Sequence, residues 1–340
     1  STLVRAPSMM DRAAAEKWFT VKIEASRGKA GAVRARRAIA AGLVRASMAY
    51  RARSAVAAVG RMLATVSSFS VSLGIDSFSL GVERDPVRAS TGNLDLDFQD
   101  VVADVSRVLG EERVAFAILV DEMQDLDGEL LAALITTQHE ASQRDWNFYV
   151  IGAGLPSLPG KLATAKSYAE RMFLVRRIGR LNEAESRRVL VEPAERMGAS
   201  FEEPALTHLV NISGRYPYFL QEFGSAIWRI SPRSPFTGAD ARRAEAVGLA
   251  QLDAMFFAAR WERVTPAERE YLGAMAEEVD DSPTSTAIAA RLNRSAQSLG
   301  PARANLINKG LIYAPQRGRI AFTVPGFGQY IARQMAQEQG

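Results

Sequence analysis

The chain has 340 residues, 47% of them apolar, a formal net charge of +4 and no cysteine. Without cysteine, disulfides, thiolate metal sites and cysteine nucleophiles are excluded. The sequence also lacks both a long uninterrupted apolar run and the charged, apolar and small-residue order of a secretory signal, so it reads as a cytoplasmic protein with material for two or three cores.

Charge is uneven along the chain. Between Arg5 and Arg61 thirteen basic side chains stand against three acidic ones. Such a stretch either meets an anionic partner or forms a solvated, arginine-rich helical face, and the sequence leaves both open.

Met9 to Lys17 reads as a helix, and Trp18 to Glu24 as a short strand of β-branched and aromatic residues. Ala30 to Leu63 has helical spacing with a break expected near Tyr50. Ser67 to Val82 alternates apolar and small polar residues around Gly74, which predicts a β-hairpin. After a polar loop at Asp85 to Asn93, a helix is expected over Leu94 to Gly110.

The apolar run Val114 to Val120 ends abruptly in Asp121-Glu122, a helix is expected from Gly128 to Ser142, and a strand from Asn147 to Ile151. Buried strands alternating with helices predict a parallel α/β sheet. A further strand is expected at Phe173 to Ile178. Helices alone follow, at Asn182 to Met197, Glu203 to Ser213 and Tyr216 to Arg229. The C-terminal part opens on a helix start at Thr265-Pro266-Ala267-Glu268. Helices at Ser285 to Leu292 and Ser298 to Lys309 come next, then a small hairpin through Leu311 to Tyr313 and Ile320 to Phe322, the order of a winged helix.

Asp121 and Glu122 are the sharpest chemical signal, because charged groups just past the carboxyl end of a buried parallel strand lie where α/β sheets bind ligands. In a P-loop ATPase the Asp would hold Mg²⁺ and the Glu would orient or deprotonate the attacking water. The phosphate cradle such a site needs, G-x-x-x-x-G-K-[ST], occurs nowhere in the chain. The residues Ser1-Thr2-Leu3-Val4 read like those that follow Gly-Lys in that loop, so the sequence is expected to start inside it, the other reading being a native start before an unrelated helix.

Further candidates divide between chemistry and scaffold. Ser157, after Gly152-Ala153-Gly154-Leu155-Pro156, is the nearest polar side chain past its strand, although a structural turn is the simpler reading. Arg171 is either an arginine finger to a nucleotide in its own or a neighbouring subunit, or a surface residue. Gly214-Arg215-Tyr216-Pro217 is either a tight interhelical turn or a nucleotide contact, with Arg215 toward phosphate and Tyr216 or Tyr218 stacked on a base. His139 and His208, the only histidines, are read as surface or capping residues. If the C-terminal module binds double-stranded DNA, Arg294, Arg303, Lys309, Arg317 and Arg319 would contact phosphate, whereas many such modules bind protein instead.

Taken together, VAFAILVDEMQDL, YVIGAGLPSLP, KSYAERMF, SGRYPYFLQEFG, TPAEREYL and NKGLIYAPQRGRIAFTVP resemble the origin-recognition-like AAA+/STAND P-loop ATPases of bacteria and archaea, over most of the chain beyond about residue 95. The resemblance implies an ATPase core at residues 1–179 with a helical and hairpin insertion near 28–93, a helical lid at 180–235, and a linker helix with a winged helix at 236–340. It implies ATP and Mg²⁺ as cofactors and nucleotide-dependent homo-oligomerisation. Asp121 and Glu122 match the Walker B pair, Ser1 and Thr2 the end of Walker A with Ser1 toward the metal, and Gly214 to Pro217 the lid's G-x-P motif. The departure is the missing glycines and lysine of the cradle. Two readings follow: a nucleotide-dependent ATPase switch, weak as this chain stands, and a non-catalytic winged-helix protein that binds DNA or another protein.

Overall fold

The computed structural model describes residues 13, 15–52, 59–73, 89–231, 233–278 and 282–338. The chain divides into two compact units, Ala6–Val175 and one built on Arg176–Gly340.

In the first unit β1 (Phe19–Glu24), β2 (Phe116–Asp121) and β3 (Phe148–Gly152) form a parallel sheet in the order β1-β2-β3, with Phe19 opposite Phe116 and Glu24 opposite Asp121. The first five residues of β2 are all buried, as a central strand covered on both faces requires. Phe116 meets Phe19 and Phe148 edge-on at centroid distances of 5.0 and 4.9 Å, each contact worth roughly 0.5–1.5 kcal/mol beyond the area it buries. Four helices cover the sheet: α1 (Gly28–Arg51), α2 (Val59–Ser72), α3 (Leu94–Glu111) and α4 (Gly128–Gln143). The last two are capped by side chains: Asn93 accepts from Asp95 and Leu96 N–H and Asp127 from Leu130 N–H.

Two expectations are corrected. Residues 67–72 belong to the helix α2 and not to a hairpin arm; the rest of that expected hairpin, residues 74–82, lies outside the described residues. Ser67, Ser68 and Ser70 are buried, and Ser68 and Ser70 donate to the carbonyls of Ala64 and Val66, four residues back. That bond satisfies a hydroxyl inside a helix as well as strand pairing would. Residues 174–178 form no strand; Leu174, Val175 and Ile178 are exposed. Of the helix expected at Met9 to Lys17, residues 9–12 and 14 lie outside the described residues; Ala13 and Ala15 are helical, and Glu16 and Lys17 form a turn ahead of β1.

The outer edge of β3 is closed by a side chain. Asn147 O and Ala153 N–H bond to β2, so the groups of Phe148 and Val150 point away from it. Gln138 of α4 donates to Phe148 O at 3.2 Å and accepts from Val150 N–H at 2.8 Å, standing in for a peptide group of a neighbouring strand.

The second unit holds α5 (Glu183–Arg196), α6 (Glu203–Ile212), α7 (Pro217–Ile230) and α8 (Gly238–Gln251), the last continued by a π-helical turn at Leu252–Phe257. Beyond it lie α9 (Pro266–Ala276), α10 (Ser285–Arg291), α11 (Gly300–Asn308), the antiparallel pair β4 (Ile312–Tyr313) and β5 (Ala321–Phe322), and α12 (Phe327–Glu338). One connected apolar cluster runs through all of these from Leu190 to Ile331. The capping box at Thr265 and Glu268 forms as the sequence indicates; α12 follows the hairpin and was not anticipated. Among the described residues no helix is long and apolar enough to cross a membrane.

A second capping box starts α8, where Thr237 N–H and hydroxyl both bond Asp240. These bonds outweigh the effect of burial and hold the Asp240 pKa down at about 2. A depressed folded pKa contributes stability that is complete above the unfolded value near 4 and lost as pH falls through the folded one. Asp240→Asn is therefore expected to lower the melting temperature by a constant amount above about pH 5, with the gap to wild type closing toward about pH 2. Thermal unfolding across that range checks it.

Candidate functional site

β2 delivers Asp121 and Glu122 to the carboxyl edge of the sheet, where both are exposed. Glu122 has a left-handed backbone, φ 51° and ψ 39°, which costs a residue with a Cβ about 1–2 kcal/mol. The reversal lets Met123 N–H bond Ala153 O at 2.9 Å and starts the short 3₁₀ turn Met123–Asp125. Glu122 N–H donates to Asp121 Oδ1 at 3.0 Å, while Asp121 Oδ2 makes no bond among the described residues. The end of β1 adds a third acid, since Glu24 pairs in register with Asp121.

A ring of long-range bonds fixes the segment after Glu122. Gln124 Nε2 donates to Glu122 Oε2 at 2.6 Å, and Gln124 Oε1 accepts from Leu155 N–H at 3.0 Å. Lys161, on the helix Leu158–Ala165, donates to the carbonyls of Gln124 and Leu126 at 2.6 and 2.5 Å. Burial pulls its pKa down, against the charges of Asp125 and Asp127. Arg27 bonds Asp125 at 2.8 Å, and Arg36 bonds both Asp127 and Glu129 at 2.8 Å. Burial alone would raise the Asp127 pKa, but the Arg36 bond and the N–H of Leu130 bring it below the usual carboxylate value. Two cations of the arginine-rich N-terminal stretch thus find their anions inside this chain.

The other expected site residues are dispersed. Ser1 and Thr2 lie outside the described residues. Arg171 is exposed on the four-residue helix Ala169–Met172, and Ser157 precedes Leu158–Ala165 without capping it by its side chain. In the second unit Gly214 and Arg215 both have positive φ, 55° and 60°, and Pro217 is the first residue of α7. Arg215 is exposed there, and its carbonyl accepts from Leu181 N–H. Tyr218 stacks on Phe256 at 4.8 Å, and the Arg260 guanidinium lies over the Phe256 ring, 3.7 Å from its centroid. His139 packs on Tyr168 and His208 bonds Glu245.

The C-terminal cations are mostly engaged. Lys309 bonds the buried Glu268 at 2.5 Å and Arg263 O at 2.8 Å, Arg294 pairs with Glu270, and Arg319 donates to Ser282 O. Arg303 is half-buried and Arg317 exposed. The exposed positions of α11 are Pro301, Ala304, Asn305 and Asn308, none of them charged.

A Walker-type ATPase of Pyrococcus abyssi superposes on the chain with a TM-score of 0.55 at 16% identity, covering 96% of this chain and 95% of that one. The fold is that of a P-loop NTPase. The RuvB Holliday junction branch migration motor of Thermotoga maritima (15% identity, TM-score 0.37, 68% and 81% of the two chains) and Cdc6p of Pyrobaculum aerophilum (12%, 0.34, 99% and 97%) are more distant. A family model described as a domain of unknown function, DUF8462, matches residues 254–331, and no curated protein matches. At such identities the likeness is one of fold. In this P-loop NTPase fold, Asp121 and Glu122 occupy the sheet edge at which ligands of parallel α/β sheets lie.

Gln124, Lys161, Arg27, Arg36 and Glu24 went unnoticed in the sequence, because each acts through a partner far along the chain. Lys161→Met is expected to leave two carbonyls of the turn without their donor and to destabilise the first unit by about 1–2 kcal/mol, measurable as a lowered urea midpoint.

Proposed function

We propose that the protein binds Mg-ATP and hydrolyses it, working as a nucleotide-dependent switch of the AAA+/STAND type. The observation that carries this reading is the pair Asp121-Glu122 at the carboxyl end of the central strand of a P-loop NTPase sheet, with Glu122 held in a left-handed turn. Bound Mg-ATP supplies the γ-phosphoryl group and the metal charge that neutralises it during transfer. Asp121, exposed and with Oδ2 uncommitted, fits a water-mediated hold on Mg²⁺, an ion that keeps several waters and needs few carboxylates. Ser1 would share the metal and Thr2 the phosphates, in the places that follow a Gly-Lys. Glu122 would orient or deprotonate the attacking water, and Arg171 would meet transition-state charge as a finger within one subunit or between two. Gly214, Arg215, Tyr216 and Pro217 would take the nucleotide-contacting role of a lid motif, in a division into core 1–179, lid 180–235 and winged-helix part 236–340.

The reading frame ahead of Ser1 is the first test. A Gly-x-x-x-x-Gly-Lys there supports the ATPase, and its absence leaves the Asp121-Glu122 pair without the phosphate cradle the site needs and counts against the reading. With that sequence included, Glu122→Gln is expected to keep Mg-ATP affinity and lose turnover by about a hundredfold or more. Unchanged turnover would sink the role given to Glu122.

For the winged-helix part, we infer a protein-facing role in preference to duplex binding, because Lys309, Arg294 and Arg319 are engaged within the chain and the exposed side of α11 is uncharged. Salt-dependent duplex binding is expected to be weak, and unaffected by Arg303→Ala with Arg317→Ala. Tight binding lost in that double variant would restore the DNA reading.

A further inference from the structure

Gln124 lies two residues past Glu122 and is only 8% exposed, so both ends of its amide need partners. Leu155 N–H can only donate, and it meets Gln124 Oε1 at 3.0 Å, which settles which end of the amide is oxygen. Nε2 therefore faces Glu122, and donates to Oε2 at 2.6 Å in a charge-assisted bond. One planar group thus joins the backbone of the loop after β3 to the carboxylate after β2.

That loop is built closely around the bridge. A Cβ added at Gly154 would collide with Gln124 Oε1, and one at Gly152 with Met123 Sδ. Met123 N–H on Ala153 O and Ala153 N–H on Val120 O tie the same two segments through their main chains. A shift of residues 153–157 therefore moves the Gln124 amide, and with it the donor that aims Glu122.

We infer that Gln124 is a positioning residue through which the loop 153–157 governs the aim of the Glu122 carboxylate. The inference rests on the reading of Glu122 as the group that orients water. With Leu155 N–H in place the amide holds Glu122 in one orientation; withdrawal of that N–H leaves the amide, and the carboxylate, to reorient. The loop then acts as an input to hydrolysis without touching the water itself.

The test uses the full natural chain in five forms: wild type, Gln124→Ala, Gly154→Ala, Glu122→Gln, and Gln124→Ala combined with Glu122→Gln. Without nucleotide, hydrogen exchange at the Leu155 amide is expected to quicken by about fivefold in Gln124→Ala, as loss of one bond implies. With Mg-ATP, Gln124→Ala and Gly154→Ala are each expected to lower kcat by about tenfold to a hundredfold, with the dissociation constant unchanged within about twofold. Added to Glu122→Gln, Gln124→Ala is expected to cause no further loss, because its effect passes through Glu122.

A Leu155 amide indifferent to Gln124→Ala, or equal losses with and without the Glu122 carboxylate, overturns the inference and leaves the ATPase reading standing. Gly154→Ala keeps every polar group of the bridge, so a normal kcat in that variant also counts against loop control. A wild-type chain that neither binds nor turns over Mg-ATP overturns the ATPase reading, and the catalytic part of this inference falls with it.

Discussion

Strand β2 is hydrogen-bonded along both edges and covered on both faces, and much of the first unit follows from that confinement. Five apolar residues in succession can be buried only in such a place, and the first charged residue must then emerge at the sheet's edge. Asp121 is that residue. Because Phe116 is wedged between Phe19 and Phe148, a slip of β2 by one residue would break two aromatic contacts and bring Asp121 toward the interior. The aromatic lock at one end of the strand thus sets the position of the acids at the other.

Holding the acids at an edge does not aim them, and a separate set of interactions does so. The turn from Glu122 to Asp127 has too few residues for a core of its own. Its order is imported from α1 and the residue that precedes it through Arg36 and Arg27, and from the segment after β3 through Leu155 and Lys161. The strained backbone at Glu122 persists inside this frame, as left-handed non-glycine residues do when their surroundings over-determine them. The arginine-rich stretch has its physical explanation in part here: Arg27 and Arg36 serve acids of the same chain.

What the sequence disclosed depended on the range of the interaction. The β2 run, the Thr265 cap and the helices α5 to α7 and α9 to α11 were legible because each signal lies within a few residues. The alternation at Ser67 to Ser72 misled, because a serine bonded to the carbonyl four residues back removes the polarity that separates helix from strand in the pattern. The Phe173 to Ile178 segment misled differently: its apolar residues suggested a strand, but it forms none, and Leu174, Val175 and Ile178 are exposed. Gln124 and Lys161 could not be read at all, since their main-chain partners stand 31 to 37 residues away and both belong to types common on surfaces.

Gln138 and Gln124 show the same device put to two uses. Each offers an amide, with one donor and one acceptor end, to a pair of groups that would otherwise be left open near β3. Gln138 spends both ends on main chain, at Phe148 O and Val150 N–H, and closes the strand edge. Gln124 spends one end on main chain and the other on a carboxylate. The first arrangement has no charged member and can only stabilise. In the second a neutral group links a backbone position to an ionised side chain, so displacement at one end changes the bonding of a charge at the other. That asymmetry, more than the presence of two acids, separates the edge after β2 from an ordinary strand end in solvent.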